Sequence, residues 1–143
     1  MKIVFAADHG GVHLKDALAA YAKELGHEVL DLGTHGEESV DYPAYGRRAA
    51  EAVVAGEAER GVVCCGSGIG ISIAANKVKG ARCALVSEPY AAAMSRRHNN
   101  ANLIAFGGRF VGVDLAKAAL EAFLNTEFEG GRHARRVDAL EEE

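Results

Sequence analysis

The chain has no tryptophan, two prolines, three cysteines and two methionines in 143 residues. Three cysteines, two of them adjacent (Cys64 and Cys65), make a poor disulfide framework. That excludes a small cross-linked secreted scaffold and fits a reduced, cytoplasmic setting. No His pair accompanies them at zinc spacing, so no metal site is expected. Long apolar runs are missing too: none approaches the roughly 20 residues of a membrane helix. The opening run stops at Asp8, too short for a signal peptide and suited to a first strand. Nor is there an excess of positive charge. The net charge is −4, so nothing global draws the chain to nucleic acid or an anionic membrane. Internal repeats, low-complexity tracts and linkers are absent from the sequence.

What is present is an ordinary globular composition, 49% hydrophobic and 25% charged. The length suits one domain over residues 1–143 with a single sizeable core. Short apolar runs alternate with amphipathic stretches. Strands are expected over residues 2–7, 28–32, 61–64, 82–86 and 103–106. Helices are expected over 11–25, 43–55, 70–78, 89–98, 113–125 and 132–142. In the first helix Val12, Leu14, Leu18, Tyr21, Ala22 and Leu25 recur at helical spacing. Gly26 suits a helix C-terminus, and Pro43 and Pro89 suit helix starts. The strands are continuous apolar runs, as in parallel strands covered on both faces. Strand–helix alternation therefore predicts an open parallel α/β sheet with right-handed crossovers. Such sheets bind ligands beyond the C-terminal ends of their strands.

Polar residues gather at those ends: Asp8-His9-Gly10-Gly11, Asp41-Tyr42-Pro43, Cys65 with its glycine loop, Ser87-Glu88, and Gly107-Gly108-Arg109. The most informative stretch is Cys65-Gly66-Ser67-Gly68-Ile69-Gly70-Ile71. Its glycines let backbone approach a ligand closely. The loop runs into a helix N-terminus, where free N–H groups and the dipole favour an anion. The same field is expected to lower the Cys65 thiol pKa. Three readings compete. A dinucleotide fingerprint lacks its last glycine, since residue 71 is Ile, although Glu88 stands where the acid would be sought. A plain strand–helix turn is the bland alternative. A cradle for an oxyanion or enediolate is the third. Cys64 and Cys83 suit the core. Asp8-His9 is either a capped turn or a ligand for sugar hydroxyls or phosphate. Arg96 and Arg97 near a helix end need only the dipole to explain them. His98, followed by Asn99, suits proton transfer near neutrality. In the tail, Arg132 and Arg136 share a helix face and suit phosphate. They lie where the dipole disfavours cations, as Glu141, Glu142 and Glu143 lie where it disfavours anions.

Together these motifs resemble the type B ribose-5-phosphate isomerases, in the wider group of ribose, galactose and allose phosphate isomerases. The carriers are Asp8-His9-Gly10-Gly11, Asp41-Tyr42-Pro43, Cys65 to Lys77, Ser87 to Tyr90, His98-Asn99, Gly107-Gly108-Arg109 and Gly130 to His133. The resemblance covers essentially the whole chain. It implies a Rossmann-like three-layer α/β/α sandwich with five parallel strands. It also implies a homodimer or tetramer with active sites between subunits, the C-terminal helix at a subunit interface, and no metal or cofactor. One branch of the group uses a cysteine base and another a glutamate in the glycine-loop helix. Cys65 is present here and Ile71 stands at the glutamate position, as in the cysteine branch. The implied substrate is a small sugar phosphate. The implied catalytic residues are Cys65, His98, Ser67 and Asp8. The implied binding residues are His9, Tyr42, Gly66, Gly68, Gly70, Asn99, Arg109, Arg132 and Arg136. A six-carbon sugar phosphate, a non-catalytic phosphosugar sensor and a nicotinamide dehydrogenase are the competing functions.

Overall fold

The structure, a computed structural model, describes residues 1–142; the expectation for Glu143 lies outside them. Five strands and six helices alternate along it. They are β1 (Lys2–Ala7), α1 (Val12–Glu24), β2 (Glu28–Asp31), α2 (Tyr42–Val54), β3 (Arg60–Cys65), α3 (Ile69–Asn76), β4 (Cys83–Leu85), α4 (Pro89–Asn99), β5 (Leu103–Gly107), α5 (Val113–Asn125) and α6 (Arg132–Leu140). All strands are parallel, in the order β2-β1-β3-β5-β4. The expected parallel α/β sandwich is therefore the observed one.

Side-chain alternation along the strands sorts the core into two layers. Ile3, Phe5, Ala7, Val62, Cys64, Ile104 and Phe106 face α1, α4 and α5. Val4, Ala6, Val63, Cys65, Leu103 and Ala105 face α2 and α3. The adjacent cysteines thus point to opposite faces. The second layer is built largely of alanine, which brings its helices close; a Cβ on Gly46 of α2 would lie 2.8 Å from the Ile71 carbonyl oxygen of α3.

Local signals act where the sequence puts them. Helix α1 ends with Gly26 at φ 93°, its N–H donating to the Lys23 carbonyl while His27 N–H donates to Ala22; this is the Schellman arrangement. Pro43 and Pro89 lie in the first turns of α2 and α4. One expectation needs correction, and one buried residue was not anticipated. Leu25 is 41% exposed rather than part of the buried stripe, because it caps the helix and turns away. Lys15 is wholly buried instead, its Nζ 2.9 Å from both Asp31 oxygens and 2.8 Å from Asp16. No helix among the described residues is long and apolar enough to cross a membrane.

Candidate active site

The β1 and β3 strands lie side by side, and the chain leaves them in opposite directions along the sheet. Their C-terminal ends form the switch point where a crevice opens. Asp8, 8% exposed, follows β1 and accepts a hydrogen bond from Gly10 N–H at 2.9 Å. His9 next to it is half-buried, and its Nδ1 accepts from Val40 N–H at 3.2 Å. That bond makes Nδ1 the unprotonated nitrogen and leaves Nε2–H to donate. Backbone contacts join the loops. Gly108 N–H donates to the Cys65 carbonyl and Arg109 N–H to the Gly66 carbonyl. The Arg109 guanidinium lies along the two glycine loops, 3.0 Å from where a Gly66 Cβ would stand and 3.4 Å from one on Gly10.

Cys65 closes β3 on the α2–α3 face and is 4% exposed. Gly68 adopts φ 78°, a conformation that favours glycine. A Cβ there would lie 2.7 Å from the Phe106 carbonyl carbon and 2.9 Å from Gly107 N. This turn aims the Gly68 N–H at Cys65 Sγ, 3.1 Å away. Ile69 N–H donates to Ser67 Oγ at 3.1 Å. The first intrahelical acceptor is the Gly68 carbonyl, taken by Ser72 N–H. Gly70 and Ile71 N–H therefore stand in the first turn without an intrahelical acceptor. The Tyr42 ring covers Gly70, with its Cε1 and Cζ 2.6 Å from a Cβ built there. Of the three cysteines, Cys65 is the one whose sulfur meets the glycine loop. Burial pushes Cys64 far above the ordinary range and Cys83 up to about 12, although Cys83 as a residue is only half-buried.

Asp8, His9, Tyr42, Cys65, Gly66, Ser67, Gly68, Gly70 and Arg109 thus share one edge of the sheet. His98, Asn99, Arg132 and Arg136 do not. Helix α4 starts beyond β4 and runs back, so its last residues lie at the opposite edge, where β5 begins. The run of β3 from Arg60 to Cys65 alone separates the edges by about 16 Å. At that far edge His98 stacks on His133, with ring centroids 4.3 Å apart and planes 13° apart. Glu129 Oε1 lies 3.6 Å from His133 Nε2. These three side chains bring ligand-type atoms within 4.8 Å of one another, but Arg132 and Arg136 act on the same cluster and oppose a cation.

Three features escaped the sequence reading. Arg96 is buried and does more than meet a helix dipole. Its Nε donates to the Thr126 carbonyl, and its Nη1 to Asn100 Oδ1 and the Ala101 carbonyl. Burial, with Arg60 and Arg82 nearby, lowers its pKa to about 10. His133, not an arginine, is the polar residue that α6 buries. Glu88 caps α4 by accepting from Tyr90 and Ala91 N–H, which removes the acid that a dinucleotide reading would need.

The family model described as Ribose/Galactose Isomerase matches residues 3–140. The chain is 50% identical over 139 residues to ribose-5-phosphate isomerase B of Escherichia coli (strain K12), covering 97% of this chain and 93% of the relative. It is 42% identical over 137 residues to the galactose-6-phosphate isomerase subunit LacB of Clostridium acetobutylicum, covering 96% and 79%. The solved structure of Clostridium thermocellum ribose-5-phosphate isomerase B superposes with a TM-score of 0.97 at 55% identity, covering 99% of this chain and 95% of that one. With the parallel sheet, the glycine loop and this similarity over nearly its whole length, the chain belongs to the ribose/galactose isomerase family.

Proposed function

We propose that this protein is an aldose–ketose isomerase that interconverts D-ribose 5-phosphate and D-ribulose 5-phosphate through an enediolate. The observation that carries the reading is Cys65 Sγ held under the Gly68 N–H at the start of α3, beside two further N–H groups free of intrahelical bonds. A thiol and an oxyanion cradle share one place.

His98 donates a proton to the furanose ring oxygen as the C1–O bond breaks, and the C1 hydroxyl gives up its proton to leave an aldehyde. Asp8 orients the sugar. Cys65 thiolate takes the C2 proton, and the electron pair moves onto O1. The backbone N–H groups of the loop from Gly66 to Gly70, apart from those of Gly68 and Ile69 that Cys65 Sγ and Ser67 Oγ take, hold the enediolate charge, a preorganised donor set of the kind often worth most in catalysis. Ser67 accepts Ile69 N–H and keeps its own hydroxyl hydrogen free to pass a proton from O2 to O1. Cys65 then returns its proton to C1, with no net oxidation. His9, Arg109, Arg132 and Arg136 take the phosphate, and Tyr42 and Asn99 contact the sugar. Remote phosphate binding holds the reacting carbon against the base.

Because the two sets of residues lie at opposite sheet edges, the working site needs a second copy. One protomer supplies the Cys65 edge and its partner supplies His98, Asn99, Arg132 and Arg136. The protein is thus a homodimer or tetramer, one domain per chain, acting in the cytoplasm without metal or cofactor. A six-carbon sugar phosphate is the second reading, supported by the similarity to the galactose-6-phosphate isomerase subunit. The test is turnover of ribose 5-phosphate in EDTA beside a Cys65→Ala variant. Activity that vanishes in the variant supports the cysteine base, and near-normal turnover in the variant sinks it. A folded parent inactive on ribose 5-phosphate but active on allose or galactose 6-phosphate would move the reading to six carbons.

A further inference from the structure

Two histidine rings, His98 and His133, lie face to face where α6 meets α4. Helix α6 is exposed along most of its length and turns only His133 and Val137 inward. His133 meets α4 through the His98 ring, 4.3 Å away and 13° from parallel. We propose that His133 is a positioning residue, stacked on His98 to fix the plane of that ring and to leave His98 as the member of the pair that carries the proton for ring opening. This inference rests on the isomerase reading above.

Geometry supplies the first half. An unstacked imidazole near a helix end samples several rotamers, and its productive orientation is then one of many. A second flat ring at van der Waals distance, itself 8% exposed, removes that freedom. Charge supplies the second half. Two imidazolium rings at this spacing repel, so the pair holds one proton readily and two only with difficulty. Burial, then His98, Arg132 and Arg136, push His133 below the ordinary histidine range, against the opposing pull of Glu129. These are the charged groups that face His133 from α4, the segment before α6, and α6 itself. Of the two rings, His133 is the one whose charge its surroundings disfavour.

Ribulose 5-phosphate separates this role from a general structural one. Its 5-hydroxyl is phosphorylated, so it cannot close a five-membered ring, and it reaches the enediolate without ring opening. Exchange of its C1 hydrogen with D2O therefore reports proton abstraction alone. General acid–base groups contribute about 10²–10⁴-fold, and loosening one is expected to cost His133→Ala about 30-fold in kcat on ribose 5-phosphate. KM and the C1 exchange rate are expected to stay within about threefold of the parent. His133→Phe, which restores a flat buried ring, is expected to recover turnover to within about threefold. Loss of turnover and exchange in equal proportion in His133→Ala would overturn the inference, as would no loss of either. A His133→Phe enzyme as slow as His133→Ala would overturn it too. A parent with neither turnover nor exchange would count against the isomerase reading instead.

Discussion

Mixing two dead chains should make a live enzyme. Cys65→Ala removes the proposed base at one edge of the sheet and His98→Asn removes the proposed acid at the other. Within a protomer the β3 strand alone separates these edges by about 16 Å, far beyond the reach of one sugar phosphate. Each variant by itself carries its lesion in every site. In an equal mixture, a site assembled from the Cys65 edge of one chain and the His98 edge of its neighbour is intact when the first is His98→Asn and the second Cys65→Ala. Random assembly in a symmetric oligomer makes that about one site in four, whatever the number of subunits. The variants would be denatured together, refolded, and assayed with ribose 5-phosphate, with two affinity tags confirming mixed oligomers. About a quarter of the parent activity is expected. A control mixture of Cys65→Ala with Asp8→Asn places both lesions on the same half-site and should stay inactive. Confirmed mixed oligomers with no recovered activity would refute the shared site.

Lys15→Met removes one partner of a buried pair, a loss of about 3–5 kcal/mol where both charges are enclosed. Asp31 keeps 29% of its side chain in water, which reduces the expected cost to about 2 kcal/mol and the melting shift to about 6 °C. Burial opposes the Lys15 charge, but hydrogen bonds with Asp16 and Asp31 outweigh it and hold its pKa above the ordinary value. The contribution is therefore fully present at neutral pH and is lost only as pH rises through the folded value, so a melt at pH 7.5 shows it; an unchanged melt contradicts the pair. Gly68→Ala places a Cβ against backbone at a positive φ and should lower turnover at least tenfold, roughly 1.4 kcal/mol in the barrier; parent-like kinetics would argue that the turn does not aim the cradle. For His133 the folded pKa is depressed, so the unfolded chain binds more protons and stability falls as pH drops through about 6.5. His133→Phe should flatten that acid limb in denaturant titrations at pH 5 and 7, and an unaltered limb would show that His133 does not set it.

Much of the architecture was legible because one residue type settled each choice. Glycine at 26 and proline at 43 and 89 mark helix ends by backbone geometry alone, and continuous apolar runs fixed parallel strands. The Cys65 edge was readable for the same reason: its residues sit within a few positions of strand ends. What escaped depends on contacts between elements distant in sequence. Lys15 reads as a surface lysine until Asp31, sixteen positions on, meets it; its spacing from Leu18 and Ala22, three and seven residues, was the available signal. Arg96 looked like a dipole partner because its acceptors at 100 and 101 belong to its own helix end, while the Thr126 carbonyl reaches it only when α4 and α5 pack. His133 was hidden among arginines because only the docking of α6 on α4 selects which residue faces inward. The separation of the two half-sites followed from the expected helix over residues 89–98, which ends His98 where β5 begins, and from the intersubunit site that the resemblance implied.

That separation also sets how the enzyme behaves in dilute solution. In the proposed shared site, a lone protomer carries every residue assigned to catalysis yet cannot bring them to one substrate, so the catalytic unit would be an association product and would obey mass action. Specific activity would then depend on protein concentration, falling once the enzyme is diluted below the dissociation constant of the pair and recovering on concentration, without any change in the fold of the individual chain.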